Sequence, residues 1–229
     1  MIDVVRLSKT FGTRTLWSDV TFSVSRGEML ALVGPSGSGK SSLLNCIGLL
    51  DKPSAGEIRH KGQDVTRFGP RATRRFRRDV LGYLFQNYAL IENASVSANL
   101  EVSVKLRRTT RGKPGVTVVE ALDRVGLAGR EHEKVHHLSG GEQQRVALAR
   151  LMVKQPALIL ADEPTGALDR DNTAVVMDIL REMSEGGCAV VVATHDDHVR
   201  DRCDAVFAVD ENAVIARTWP RHEHAGTTS

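Results

Sequence analysis

At 229 residues, 41% hydrophobic and 26% charged, the chain has the composition of an ordinary globular domain, long enough for one core with a subdomain. Its longest apolar run, Cys188–Ala193, falls far short of the ~18 residues of a membrane span, and Met1–Arg6 lacks the pattern of a secretory leader, so a cytoplasmic chain is expected. Net charge is only +3, and the scattered Cys46, Cys188 and Cys203 fit small buried thiols rather than a disulfide framework or a metal site.

Val4–Leu7 reads as a short strand, and Val20–Val24 alternates apolar and polar as a half-buried strand does. Arg26-Gly27-Glu28 marks a turn. Met29–Val33 is a continuous apolar run, the mark of a strand buried on both faces. Gly34–Gly39 follows as a loop and Lys40–Leu50 as a helix. Pro53, Gly56, Gly62, Gly69 and Pro70 predict turns over residues 51–70, around a short strand at Glu57–Arg59.

Residues 67–78 hold six arginines and no acid. A solvated helix face is the preferred reading, with anionic lipid head groups second. Aromatic residues are only 4% of the chain, poor material for stacking on bases, so no nucleic-acid partner is expected.

From about residue 87 to 155 the pattern turns helical, at Val118–Val125 and Glu142–Val153. Buried strands return at Ala157–Ala161 and Cys188–Thr194, with a helix at about 172–184 between them. Strand, helix, strand in this order implies parallel pairing. The helical stretch therefore splits an α/β core. The polar segment 217–229 is expected to be loose.

Chemistry concentrates in three places. Gly34-Pro35-Ser36-Gly37-Ser38-Gly39-Lys40-Ser41 fits the phosphate-binding loop G-x-x-x-x-G-K-[ST], set between a buried strand and a helix, with Ser42 next in line. Its glycines let backbone N–H groups curl around phosphate oxygens, Lys40 reaches the β- and γ-phosphates, and Ser41 offers Mg²⁺ a hydroxyl. Leu158–Glu163 ends a buried strand in two acids. Asp162 is the expected Mg²⁺ holder, and Glu163 the expected general base for an attacking water. Third, Leu138–Arg150 opens a helix at Ser139, Gly140 and Gly141, with Glu142 placed to complete a capping box. Such a helix start favours an anion.

Together these residues resemble the nucleotide-binding subunit of an ABC transporter over at least residues 2–215, with 138–150 matching the signature motif. The resemblance implies an α/β P-loop NTPase core with a mostly parallel sheet, an N-terminal antiparallel β subdomain and an inserted α-helical subdomain. Residues 1–86 and 156–216 would form the core, 87–155 the helical signature subdomain and 217–229 the tail.

It also implies further site residues. Phe11 would stack on adenine, against the alternative of a core phenylalanine. Gln86 would touch Mg²⁺ and link the subdomains. Asp169 would lie in a loop crossing to a partner subunit, and His195 would contact the γ-phosphate. Val135 stands where many relatives have proline.

ATP and Mg²⁺ are the implied cofactors. Two chains would pack head to tail, the signature of one closing over ATP on Lys40 of the other. A separate membrane permease is the implied partner, on the inner face of the membrane, with no direct contact to the transported cargo. The motifs are most similar to the lipoprotein-release, macrolide-export, cell-division and antimicrobial-peptide-resistance branch, and Gly82–Asn93 is similar to bacteriocin exporters. Two alternatives stay open: a permease complex that signals mechanically without transport, and a soluble ABC ATPase on nucleic acid or ribosomes. Finally, Tyr88, Leu90 and Ile91 are expected either to line a permease groove or to pack inside the helical subdomain.

Overall fold

Two sheets organise residues 1–106, 115–166, 170–209 and 215–217, the parts of the chain that the computed structural model describes. The first sheet is antiparallel. It is built from β1 (Ile2–Phe11), β2 (Arg14–Val24), β4 (Ala55–His60) and β5 (Gln63–Asp64), in the order β2-β1-β4-β5. Strand β1 is longer than the predicted Val4–Leu7, because its flanks alternate polar with apolar residues and carry bulges after Val4 and after Leu7. At the first bulge Arg6 turns left-handed (φ 47), and Gly56 of β4 crosses so close that a Cβ there would sit 2.2 Å from the Arg6 carbonyl oxygen.

The second sheet runs β10-β9-β3-β8-β7-β6, from β3 (Met29–Val33), β6 (Leu81–Leu84), β7 (Leu158–Asp162), β8 (Ala189–Ala193), β9 (Ala205–Ala208) and β10 (Ile215–Arg217). All its pairings are parallel except β10 on β9. The predicted parallel pair is β7 with β8, in register from Leu158↔Ala189 to Asp162↔Ala193. Their crossover is α6 (Arg170–Glu185).

Helix α1 (Lys40–Ile47) follows β3. It stops earlier than predicted because Gly48 caps it and Leu49 turns left-handed (φ 57). Helix α2 (Pro70–Asp79) leads into β6. Helices α3 (Val96–Leu106), α4 (Val118–Arg124) and α5 (Gly140–Lys154) stand between β6 and β7, and α7 (Asp197–Arg200) follows β8. One core lies under α3–α6, holding Leu100, Leu122, Leu148 and Leu180. The other lies between the two sheets and α1, holding Trp17, Leu43, Ile58 and Phe207. Cys46 and Cys188 are buried free thiols and Cys203 is half-buried; burial pushes all three up to about 12. Among the described residues no helix is long and apolar enough to cross a membrane.

Candidate active site

The carboxyl ends of parallel strands, where strand order departs from chain order, are where open α/β sheets bind ligands. Here the loop after β3 and the ends of β7 and β8 meet at such a place. The loop enters α1 through Gly39, whose φ of 92 is left-handed. A Cβ at Gly39 would lie 2.6 Å from Leu16 and 2.8 Å from the Trp17 indole nitrogen, which itself donates to the Gly39 carbonyl at 3.3 Å. The antiparallel sheet thus presses the loop into shape. Lys40 is buried, and its ammonium donates to the carbonyls of Gly34 (2.8 Å) and Pro35 (3.3 Å) inside the loop.

The acids complete the cluster. Ser41 Oγ donates to Asp162 Oδ1 at 2.9 Å, so the loop and the end of β7 are tied together. Burial, with the neighbouring Glu163 charge, pushes the Asp162 carboxyl up, while the Ser41 hydrogen bond and the Lys40 charge oppose the rise. Glu163 sits at φ 46, a left-handed backbone that a non-glycine residue adopts only where its surroundings hold it. The Ala193 carbonyl does so, accepting from the Glu163 N–H at 2.9 Å. The Glu163 carboxylate then lies 2.9 Å from His195 Nδ1 and 3.9 Å from the Lys40 ammonium. His195 is 69% exposed, beyond the end of β8.

These residues fit a nucleotide with Mg²⁺. Ser38 Oγ is buried in the loop with no hydrogen-bond partner, which suits a phosphate oxygen. Helix α1 starts with no side-chain cap and no acid in its first turn. Ser41 and Asp162 form a set of hard oxygen donors at its edge. Pro35, Ser36 and Gly37 are exposed on the outer side of the loop, and Ser42 is half-buried.

Ser139 caps α5 as expected. Its Oγ accepts from the Glu142 N–H (3.3 Å), and Glu142 Oε2 accepts from the Ser139 N–H (2.8 Å). Arg130 pairs with Glu142 and with Glu133, pinning the cap from outside. Ser139 and Gly140 are exposed and Gly141 half-buried. Among the described residues no hydrogen bond or ion pair joins this helix start to the Lys40–Asp162–Glu163 cluster. Gln86 is exposed just after β6 and makes no hydrogen bond among the described residues. The turn beyond it is left-handed at Tyr88 (φ 62) and Ala89 (φ 46). Arg150 of α5 holds that turn, donating to the Tyr88 (2.8 Å) and Ala89 (2.7 Å) carbonyls.

Phe11 is 54% exposed at the end of β1, an open platform and not a core residue. Sequence reasoning missed the residue beneath it. The buried Lys9 ammonium lies 4.8 Å from the Phe11 ring centroid, anchored by Asp51 (2.6 Å) and the Lys52 carbonyl (2.7 Å). Asp169 lies outside the described residues.

The apolar segment after Gln86 divides. Tyr88 and Leu90 pack against the core under α3–α6, and only Ile91 is exposed. The groove nearby, about 260 Å³, is lined instead by Tyr83, Phe85, Arg77, Leu151, Arg150 and Lys154. Tyr83 and Phe85 stack at 3.9 Å, and the Tyr83 hydroxyl donates to Asn45 Oδ1 of α1 at 2.9 Å.

The family described as ABC transporter matches residues 17–166. The macrolide export ATP-binding/permease protein MacB of Escherichia coli is 39% identical over 220 residues, covering 94% of this chain and 34% of that protein. The pyoverdine export ATP-binding/permease protein PvdT of Pseudomonas syringae pv. tomato is 38% identical over 223 residues, covering 95% and 34%. The chain thus spans about a third of the length of these curated relatives. A dimeric structure of MJ0796, a bacterial ABC transporter cassette, matches with a TM-score of 0.83 at 34% identity, over 93% of this chain and 96% of that one. A dimeric post-hydrolysis state of MJ0796 bound to ADP and Pi matches with a TM-score of 0.82 at 32% identity, over the same shares. With the family match over residues 17–166 and the shared architecture, the chain belongs to the ABC transporter family and has the ABC ATPase fold.

Proposed function

We propose that this chain hydrolyses ATP as the energy-coupling subunit of a membrane exporter, closing head to tail with a second copy around two nucleotides. The convergence of Lys40, Asp162, Glu163 and His195 at the ends of β3, β7 and β8 carries the reading.

In this reading the loop amides, Ser38 and Lys40 cradle the β- and γ-phosphates, and Phe11 over Lys9 offers adenine a stacking face. Ser41, Asp162 and Gln86 would hold Mg²⁺, which would neutralise charge on the phosphate oxygens. Glu163 orients a water and takes its proton as the oxygen attacks the γ-phosphorus. The bond to the bridging oxygen then breaks and ADP leaves. His195, hydrogen-bonded to Glu163, orients the carboxylate and the γ-phosphate. Ser139, Gly140, Gly141 and Glu142 of the second copy, with Asp169, complete the site. The dimeric MJ0796 cassettes support the pairing, and the export roles of MacB and PvdT support export, here of a peptide- or lipid-like cargo, by a permease that this subunit drives.

The groove beside Gln86 suits a short permease helix. Its floor is aromatic, and three cations, Arg77, Arg150 and Lys154, stand at its wall. Burial and the Arg150 charge hold the Lys154 ammonium below its usual value, so an acidic residue on the incoming helix would be welcome there. Movement in the groove reaches the phosphate loop through Tyr83 and Asn45, and the signature helix through Arg150. We assign residues 87–155 to the moving helical subdomain on this basis.

Glu163→Gln tests the core of the proposal. It should retain ATP affinity, lose roughly 100-fold or more in turnover, and accumulate an ATP-bound dimer in sedimentation. Near wild-type turnover would remove Glu163 from the chemistry. A dimer of equal strength without ATP would remove the nucleotide from the interface.

A further inference from the structure

We propose that α2 carries an arginine stripe that binds the anionic phospholipid surface flanking the permease. The orientation of the stripe toward the bilayer rests on reading the neighbouring groove as the permease socket.

Arg71, Arg74, Arg75 and Arg78 are spaced i, i+3, i+4, i+7, which places them on one face of α2, and all four are exposed. The opposite face is fixed. Phe76 is 5% exposed and meets the rings of His60 (5.6 Å) and Phe68 (6.5 Å) edge-on, so the helix cannot roll its arginines inward.

Local structure opposes this stripe. Arg71–Arg74, Arg71–Arg75 and Arg74–Arg78 are like-charge neighbours along one face, each working against the helix. Arg71 adds positive charge to a first turn that holds no acid, against the helix dipole. Only Arg78 has an acid partner, Asp79; Arg71, Arg74 and Arg75 have no ion pair among the described residues. An external anion relieves all of these repulsions together.

The form of the surface selects the partner. None of the four arginines lines the groove beside Gln86 or the one between Pro53, Val65 and Phe68, so the stripe offers a row of charges on an open face. Among the described residues of α2 the one aromatic side chain, Phe76, is buried on the opposite face, which disfavours stacked bases. A plane of phosphates suits it, because guanidinium groups bind phosphate oxygens in pairs and the inner leaflet concentrates them. Arg77 of the same helix lines the groove wall, so the stripe is continuous with the rim of the socket.

Sedimentation of the full chain with vesicles tests the assignment. Vesicles of phosphatidylcholine containing about one-third phosphatidylglycerol should capture the chain at roughly 0.1 M salt, and phosphatidylcholine alone should not; added salt should release it. Each arginine near such a surface strengthens partitioning about fivefold, so Arg71, Arg74 and Arg75 changed together to Gln should weaken it about 100-fold. The same three changed to Lys should keep most of the binding, while the Lys variant retains the wild-type melting temperature and the Gln variant, freed of the repulsion, melts at or above it. Equal binding to neutral vesicles, or undiminished binding by the Gln variant, overturns the proposal. So does a chain that ignores anionic vesicles but binds a polyglutamate peptide through these arginines, which would make the partner an acidic protein segment. No permease is present, so failure here is separate from failure of the groove reading. Phe85→Asp, which should weaken recovery of the permease in detergent, should leave vesicle binding intact; its loss would place the lipid contact in the groove and sink the stripe.

Discussion

Helices α1 and α5 both begin at glycines, and both beginnings are proposed to meet the same phosphates, yet they are built in opposite ways. The start of α1 is incomplete. Gly39 is left-handed, no side chain caps the helix, its first turn holds no acid, and Ser38 Oγ is buried without a partner. The start of α5 is closed on itself by the Ser139–Glu142 box, and Arg130 pins the box from outside. An anion is therefore the missing part of α1, whereas α5 is a finished element. Its first N–H groups, those of Gly140 and Gly141, remain without intrahelical partners, as at any helix start. In the proposed dimer the first surface takes the nucleotide and the second closes over it from the other copy.

Lys40→Ala attacks the first beginning. Lys40 now satisfies itself on the Gly34 and Pro35 carbonyls and is positioned to exchange them for phosphate oxygens. Removing the charge should weaken ATP binding by about 100-fold in equilibrium dialysis. Ser139→Ala, by contrast, should leave the ATP affinity of the single chain intact. If both changes weaken nucleotide binding equally, the distinction between the two helix starts collapses.

Alanine at the glycines sharpens the comparison. A Cβ at Gly39 would strike Leu16 and Trp17 and would force an L-residue into φ 92, so Gly39→Ala should cost about 1–3 kcal/mol of stability and disable the loop. A Cβ at Gly140 meets only the Tyr88 hydroxyl at 3.8 Å, inside a helix that favours alanine. Gly140→Ala should melt within a few degrees of wild type and lose ATP-driven dimerisation. Urea unfolding of the two variants gives the first difference, and sedimentation with ATP the second.

The same contrast explains what was readable in the sequence. The buried strands β3, β7 and β8 are apolar runs between polar breaks, so their positions followed from pattern, and the parallel pairing of β7 with β8 followed from the helix between them. The capping box of α5 was legible because Ser and Glu at this spacing satisfy each other locally. Strands β6 and β9, four residues each, carry too few residues for a period, and α3 hides its helical spacing among Ser, Asn and Val. At the site, the motif residues were readable, but their supports were not. The Asp51 and Lys52 anchor that holds Lys9 under Phe11, Arg150 on the Tyr88–Ala89 turn and Asn45 on Tyr83 are contacts between segments far apart in the chain, created only by the packing of α1, α5 and the two sheets. Pattern could not choose between a groove and the core for Tyr88 and Leu90 for the same reason: Arg150 holds the turn by the Tyr88 and Ala89 carbonyls, and both side chains pack against the core.

The smallest effect tests whether the α5 cap is complete without a ligand. The Ser139 N–H and hydroxyl, and the Arg130 guanidinium, hold the Glu142 carboxyl below its ordinary value of 4.5. A carboxyl depressed in this way stabilises the fold fully above its unfolded value. As pH falls, the unfolded chain takes up the proton first, and the contribution drains away until the folded carboxyl is protonated too. Wild type should therefore melt above Glu142→Gln at neutral pH, by about 2–4 °C for a chain of this size if the charged cap is worth about 1 kcal/mol. The gap should narrow as pH descends through 4.5 and close once the folded carboxyl is protonated as well. The depressed carboxyls Asp51 and Glu120, held by other partners, steepen the acid limb of both proteins alike and cancel in the difference, whereas Glu133 shares Arg130 with Glu142 and is read together with it. A gap that persists unchanged into acid would mean that Glu142 acts through its shape and not its charge, and the Arg130 guanidinium would then add nothing to the cap of α5.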